Sequence, residues 1–384
     1  MLSGTKPEYP RKYNRRITIE TIRRNSPISR AEIAQMTGLT TATISNITSE
    51  LLEEEIILET GRRKGQRGQP AIDLELNPAG RFSIGFELGR DLLAGVAINL
   101  TGEILQEIYE EWEYPAPEVA LPLMSAKLYE LMSKTGIPEK RLLGIGVAMP
   151  GPFLTNKKRT VYPINFPHWE QFPVVEKMRE AFGFPIIMEN DAMAAALGER
   201  FHGLGRHYKD FYYIHLGAGI GGAMILQGHP YQGFSPNTGE LGWMTYGLKG
   251  RRALVGQYVG LKPLYDFLRG YGIAISHLRD LEELFAQQNP HLWEWLNESV
   301  DCLTTVLDAI NAILGPEAVF LGGHVPNVIL DYLIERLNIE IAAARAAHPD
   351  QHVMYQIKLL RTTSGDLSSA IGAATLPLYK LFSI

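Results

Sequence analysis

The chain has 384 residues, more than one ordinary core accommodates, so its length predicts two or three domains. Hydrophobic content of 45% and charged content of 21% are those of a soluble globular protein, and no apolar stretch is long enough to span a bilayer. The net charge of −5 hides two basic patches near one end, and the single cysteine, Cys302, excludes an internal disulfide and a multi-cysteine zinc site, which fits a cytoplasmic protein.

The first patch comes at the start. Residues 1–30 carry Lys6, Arg11, Lys12, Arg15, Arg16, Arg23, Arg24 and Arg30 against Glu8 and Glu20, a local balance of +6. No apolar core follows this basic start, so it does not read as a signal peptide. The second patch, residues 61–70, holds Arg62, Arg63, Lys64 and Arg67 with no acid. Two such patches on an acidic chain indicate a local anion-binding module.

Between them, residues 17–58 read as three short helices. Ile17, Ile19 and Ile22 mark the first. Ser29 caps the second, Arg30–Thr37, with Glu32 as its capping-box partner, and Gly38 ends it. Thr40 or Thr41 caps a third helix that runs to about Glu54 on a buried stripe of Ile44, Ile47, Leu51 and Leu52. The spacing of Ala34, Gly38, Leu39, Ile44 and Ile47 matches a helix-turn-helix, because small Ala34 admits close crossing and Gly38 admits a left-handed turn. Thr41, Ala42, Thr43, Ser45 and Asn46 then face forward, and the polar ones reach base edges in a major groove. Residues 56–77 alternate at both ends around a Gly- and Arg-rich tip, which predicts a β-hairpin wing presenting Arg62, Arg63, Lys64 and Arg67 to phosphates or a minor groove. These residues predict a winged helix-turn-helix over 1–80 and a second domain over 81–384.

From Arg81 onward the texture is α/β. "FSIGFELGRDLLAGVAINLTGEIL" (82–105) reads as strands with a tight turn at Leu88–Asp91 and another at Thr101-Gly102. Residues 142–151, 184–191, 211–225 and 318–323 are strand-like, and helices fall over 117–134, 171–182 and 298–314. Two glycine-rich turns far apart in sequence suggest two lobes around a cleft, near 190–245.

The winged module followed by "IGFELGRDLLAGVAINLTGEIL", "GIGVAMPGP", "ENDAMAAALGE", "LGAGIGG", "GELG" and "FLGG", in this order, resembles the ROK family of sugar kinases and sugar-responsive repressors. The resemblance runs from about residue 15 to the end. It implies an actin-like and hexokinase-like (ribonuclease H-like) pair of lobes with sugar and nucleotide in the cleft. It also implies that Asp191 of "END" stands where kinases keep the catalytic base, and that Asn190 holds sugar hydroxyls. On the residues alone, both are equally good caps for the helix that follows.

The phosphate loops depart from the family pattern. Where active kinases read Asp-x-Gly-Gly-Thr, this chain reads Glu87-Leu88-Gly89-Arg90-Asp91, adding bulk and a negative charge where a polyphosphate must approach. Asn99 stands where an Asp is usual, and the Gly-Thr-Gly loop is Gly217-Ala218-Gly219. The family's zinc loop has no cysteine in residues 239–264, and its His position holds Trp243. No metal and no cofactor is therefore expected, zinc and ATP included. Glu240 is kept, and Trp243 reads either as a buried core aromatic or as a stacking platform for a sugar face. Gly151 and Asn165 complete the expected sugar-binding set.

These features predict a homodimeric repressor that binds operator DNA, with a small sugar-like effector in a degenerate kinase cleft and no catalytic residue. The alternatives are an active ROK sugar kinase with an appended DNA-binding module, and a regulator whose effector is not a sugar.

Overall fold

The computed structural model describes residues 8–63, 71–112, 115–155, 161–163, 166–170, 172–235, 237–248, 251–347 and 357–382. Helix α1 (Glu8–Asn25) leads through β1 (Ile28–Ser29) to α2 (Arg30–Thr37) and α3 (Thr41–Glu53). Helix α1 starts earlier than the apolar pattern predicts. Its polar first half has no buried stripe, and Arg11 and Arg15 tie it to Glu50 of α3 and to Glu54, which caps that helix. The capping box forms: Ser29 Oγ accepts from the Glu32 amide at 3.3 Å, and the Glu32 carboxylate accepts from the Ser29 amide at 2.8 Å. Gly38 ends α2 at φ 70°. Thr40, not Thr41, caps α3 through the Thr43 amide. Ile44, Ile47 and Leu51 are buried, while Leu52 is half-buried. Thr48 takes the remaining inward place, because the 3.6-residue period turns Leu52 toward the edge of the stripe. Strands β2 (Ile57–Arg63) and β3 (Ala71–Leu76) pair antiparallel as the wing, and β1 adds to the other edge of β3. The wing tip, with Lys64 and Arg67, lies outside the described residues.

The first lobe contains β4 (Phe82–Leu88), β5 (Leu92–Asn99), β6 (Ile104–Glu111), α4 (Pro117–Thr135), β7 (Leu142–Met149), the short pair β8 (Phe153–Thr155) and β9 (Val161–Pro163), α5 (Val174–Phe182) and β10 (Ile186–Asn190). Its sheet has the order β10-β7-β4-β5-β6. The second lobe contains α6 (Asp191–His202), β11 (Phe211–Leu216), β12 (Ile220–Leu226), β13 (His229–Pro230), β14 (Thr245–Leu248), β15 (Arg251–Leu254), α7 (Leu261–Gly270), α8 (Leu278–Ala286), α9 (Pro290–Leu314), β16 (Ala318–Gly323), α10 (Asn327–Ala347), β17 (Leu359–Arg361) and α11 (Ser368–Phe382). Its sheet has the order β13-β12-β11-β16-β17. Both sheets follow one plan: an antiparallel meander of the first three strands, with two parallel strands added beside the first. The strand-like run 211–225 is in fact the β11–β12 hairpin, turning at 217–219. Helix α9 begins at Pro290, before the predicted 298, because Asn289 caps it. Among the described residues, no helix is long and apolar enough to cross a membrane.

Two helices join the lobes. Helix α6 covers the β11–β12 face, with Ala192, Ala195 and Ala196 against Phe211, Tyr213 and Ile225. Helix α11 follows the last strand of the second lobe yet packs on the sheet of the first. Their crossing is built from small residues: a Cβ on Gly372 would fall on the Ala194 carbonyl, and one on Gly146 of β7 would fall on the Ala373 carbonyl. The outer side of α11 (Ile371, Leu378, Phe382) shares one apolar cluster with Leu92 and Val96 of β5 and with Ile19, Ile22 and Leu51 of the N-terminal module. The N-terminal module is thus packed on the body rather than tethered to it.

Candidate functional site

Helix α3 presents Thr41, Ser45 and Asn46 to solvent, with Thr43 half-exposed and its hydroxyl 2.8 Å from that of Thr40. This is the geometry of a recognition helix, with short polar side chains on the outer face and a β-branched core behind. Arg62 and Arg63 lie at the tip end of β2, paired with Ile72 and Ala71 across the wing. Much of the first basic patch is neutralised within the fold. Arg11 and Arg15 pair with α3 acids, Arg23 and Arg24 with Glu20, and Arg30 with Glu59.

The second constellation lies between the lobes. Strand β10 ends at Asn190 and α6 begins at Asp191, so a parallel strand delivers both side chains to its carboxyl edge, where α/β sheets bind ligands. Asn190 Oδ1 caps α6 by accepting from the Ala192 amide at 2.9 Å, and its Nδ2 donates to Glu240 Oε1 at 3.4 Å. Asp191 Oδ1 also accepts from Ala192, at 2.7 Å. The capping role and the cleft position therefore coexist. Gly151 abuts this group: a Cβ there would lie 2.7 Å from Asn190 Nδ2 and would fall on Glu240 Oε1. Trp243 is 58% exposed, at the rim of a cleft of about 300 Å³ that Gly151, Asn190, Asp191 and Glu240 also line. That exposure removes the core-aromatic reading of Trp243. Asn165 lies outside the described residues.

Burial pushes the Asp191 carboxyl up to about 6, against the attraction of the Ala192 amide, Arg90 and His324. Burial and then the Asp191 charge push Glu240 up to about 7, with Arg90 opposing. Deeper in the same cleft stands a group that sequence reasoning missed: Glu87, His215 and His324, all buried. His324 Nε2 sits 2.7 Å from Glu87 Oε1. Burial works against a charged His324, but Glu87, by charge and hydrogen bond, and then Asp91 and Asp366 outweigh it and raise His324 to about 9. Burial lowers His215 to about 4, with Glu87 opposing and His324 adding to the drop. The signal for this group was available. His215 is the penultimate residue of β11 and His324 directly follows β16, so two parallel neighbouring strands carry histidines at the same edge.

Glu87, Asp91, Asp191 and Glu240 line the phosphate side of the cleft together, with Arg90 as a cation among them. The first amides of α7, which could otherwise meet a phosphate, donate to the turn: Leu261 to the Gly217 carbonyl at 2.8 Å and Lys262 to Ala218 at 2.9 Å. Asn99 lies away from the cleft, where its Oδ1 accepts from the Thr101 and Glu103 amides and shapes the β5–β6 turn. Residues 239–264 contain no cysteine.

The fold and the cleft define a winged helix-turn-helix protein with a two-lobed, hexokinase-like body. A profile of the ROK family matches residues 83–379, and one for winged helix-turn-helix DNA-binding domains matches residues 12–57. The chain belongs to the ROK family. It is 26% identical over 390 aligned positions to a xylose repressor of Bacillus spizizenii, covering 98% of this chain and 97% of that one. It is 28% identical to a xylose repressor of Bacillus subtilis over 82% of each chain. Among solved structures, a ROK family transcriptional regulator described as a homolog of the E. coli MLC protein superposes with a TM-score of 0.77 at 20% identity, covering 97% of this chain and 98% of that one. A ROK hexokinase from Thermus thermophilus superposes on the body with a TM-score of 0.60 at 23% identity, covering 78% of this chain and 98% of the other.

Proposed function

We propose that this protein is a DNA-binding transcriptional repressor whose operator affinity is set by a small sugar held in the interlobe cleft, and that it does not phosphorylate that sugar. One observation carries this reading. A recognition helix with short polar side chains outward shares a continuous apolar cluster with α11, the helix that ties the two lobes of the cleft. Ligand that binds one closure state better than another thereby acts on the placement of the DNA-binding module. Asn190, Asp191 and Glu240 converge as donor and acceptors for vicinal hydroxyls, and exposed Trp243 offers an indole face to the apolar side of a sugar ring. The xylose repressors among the relatives make pentoses the first effectors to try. The protein binds as a homodimer to a palindromic operator, one recognition helix to each half-site.

The acidic phosphate side and the occupied α7 amides argue against Mg-ATP, and Asp191 serves as a hydroxyl acceptor rather than a base. The test is operator binding titrated with pentoses, hexoses, amino sugars and polyols, each with and without Mg-ATP. Release of operator by one sugar without nucleotide is the expected result. Sugar-dependent ADP release that Asp191→Asn abolishes would establish the kinase alternative instead. Operator binding that no member of the panel changes would overturn the sugar reading.

A further inference from the structure

Glu87 comes from β4 of the first lobe, whereas His215 of β11 and His324 after β16 come from the second. Strands β11 and β16 are parallel neighbours, so both imidazoles leave the same carboxyl edge and face the carboxylate across the cleft. One donor atom from each of the three lies within 4.8 Å of the other two. Their exposures are 3%, 4% and 7% for Glu87, His215 and His324. Even so, Glu87 Oε2 and His215 Nδ1 have no hydrogen-bond partner among the described residues. A buried polar atom left in that state is unfavourable, and a carboxylate oxygen more so. A fold that gathers such atoms at the base of an open cleft is arranged to give them a further partner.

We propose that Glu87, His215 and His324 form a divalent transition-metal site that bridges the two lobes and leaves coordination positions open to the cleft. Two imidazoles and one carboxylate are a donor set for Zn²⁺ and its neighbours in the first transition row. Mg²⁺ and Ca²⁺ take oxygen donors instead. Bonds of ~2.0–2.2 Å in a tetrahedral arrangement place donors roughly 3.4 Å apart. The His324–Glu87 pair, 2.7 Å apart, therefore opens slightly, and all three donors already lie within 4.8 Å of one another. Asp91 and Asp366 add negative charge around His324, which favours a cation. Asp191 and Glu240 add more along the same cleft, while Arg90 opposes it. The site is separate from the cysteine-bearing zinc loop that this chain lacks, and its imidazole donors require no nucleotide. Because its ligands come from both lobes, the ion holds the cleft at one degree of closure. Water or an oxygen of the cleft ligand fills the open positions.

Metal-stripped full-length protein titrated with Zn²⁺, and separately with Mg²⁺, tests the site with no sugar, nucleotide or operator present. One Zn²⁺ per chain and a raised melting temperature are expected, with no response to Mg²⁺. Glu87→Gln, His215→Asn and His324→Gln should each weaken Zn²⁺ binding by more than the ~10–100-fold that loss of an outer-shell partner costs. His277→Gln, at an exposed histidine beside Glu111, should leave it unchanged. Absence of Zn²⁺ binding, or binding that survives the His215→Asn/His324→Gln double change, overturns the proposal and leaves the three as a buried hydrogen-bonded cluster. If the variants fail to fold, X-ray absorption of the zinc-loaded wild type decides: two imidazoles and one carboxylate support the site, and any other donor set overturns it. Metal binding is read without DNA or sugar, so this site and the repressor reading fail separately.

Discussion

Asp191 and Glu240 face the same cleft, and burial raises both carboxyls above their ordinary range. Their folded values, about 6 and about 7, lie above those of the unfolded chain, so the native state holds their protons more tightly. The stability they contribute is complete below the unfolded values and is lost as pH rises toward about 7. Ligand-free protein should therefore gain a few kcal/mol, about 2–4, from these groups between about pH 8 and about pH 5. Asp191→Asn should lessen that dependence in urea unfolding at the two pH values, with the share of buried Glu240 remaining. The same change should weaken the effector about 10–100-fold, the worth of one hydrogen bond to a charged group, and leave operator affinity intact. Calorimetry and operator titration on one preparation separate the two effects.

At the scale of elements, the recognition helix and the wing make different predictions. Asn46 is exposed on α3, so Asn46→Ala should change the preference among operator bases by about 1–3 kcal/mol at one position. Arg62 is at the end of the wing strand, so Arg62→Ala should weaken binding to all sequences alike and lower the salt slope by about 1. Binding measured against operator variants and against salt distinguishes them. The α6–α11 crossing is sensitive in another way. No Cβ fits between Gly372 and the Ala194 carbonyl, so Gly372→Ala should destabilise by about 1–3 kcal/mol as the helices are forced apart. Gly270→Ala, where a Cβ meets open space, is the control. Denaturant unfolding reads both.

For the whole molecule, the decisive contact joins three parts of the chain. The Arg23 guanidinium, at the end of α1, lies 4.8 Å from the Phe201 ring of α6 and 5.8 Å from the Phe382 ring of α11. His202 and Thr375 link the same two helices at 2.8 Å. Arg23 of the DNA-binding module therefore touches both helices of the α6–α11 crossing. Arg23→Ala should keep operator binding and effector binding but reduce the factor by which effector weakens the operator complex, a factor that typically spans about 5–150-fold. Operator titration with and without saturating effector measures that factor. An unchanged factor would place the coupling elsewhere.

The local features were legible in the sequence because neighbouring residues fix them. The α2 capping box, the Gly38 turn, the inward isoleucines of α3, the wing and the Asn190–Asp191 strand end depend on short-range spacing and backbone sterics. What the sequence could not determine arises between segments far apart in the chain. The polar first half of α1 is helical because Glu50 and Glu54 receive its arginines. Helix α11 lies on the sheet of the other lobe because Gly85 of β4 and Gly146 of β7 leave room for its backbone, and Gly372 lets α6 cross it as closely. The apolar pattern of α11 marks it as buried and does not say against what. Glu87, His215 and His324 are separated by more than a hundred residues at each step, and only the closing of two sheets around one cleft brings their donor atoms together. The chain by itself determined its elements, its family and one wall of its cleft. The tertiary structure alone decided how the cleft is joined to the DNA-binding module, because that joining is made of long-range contacts that no local pattern encodes.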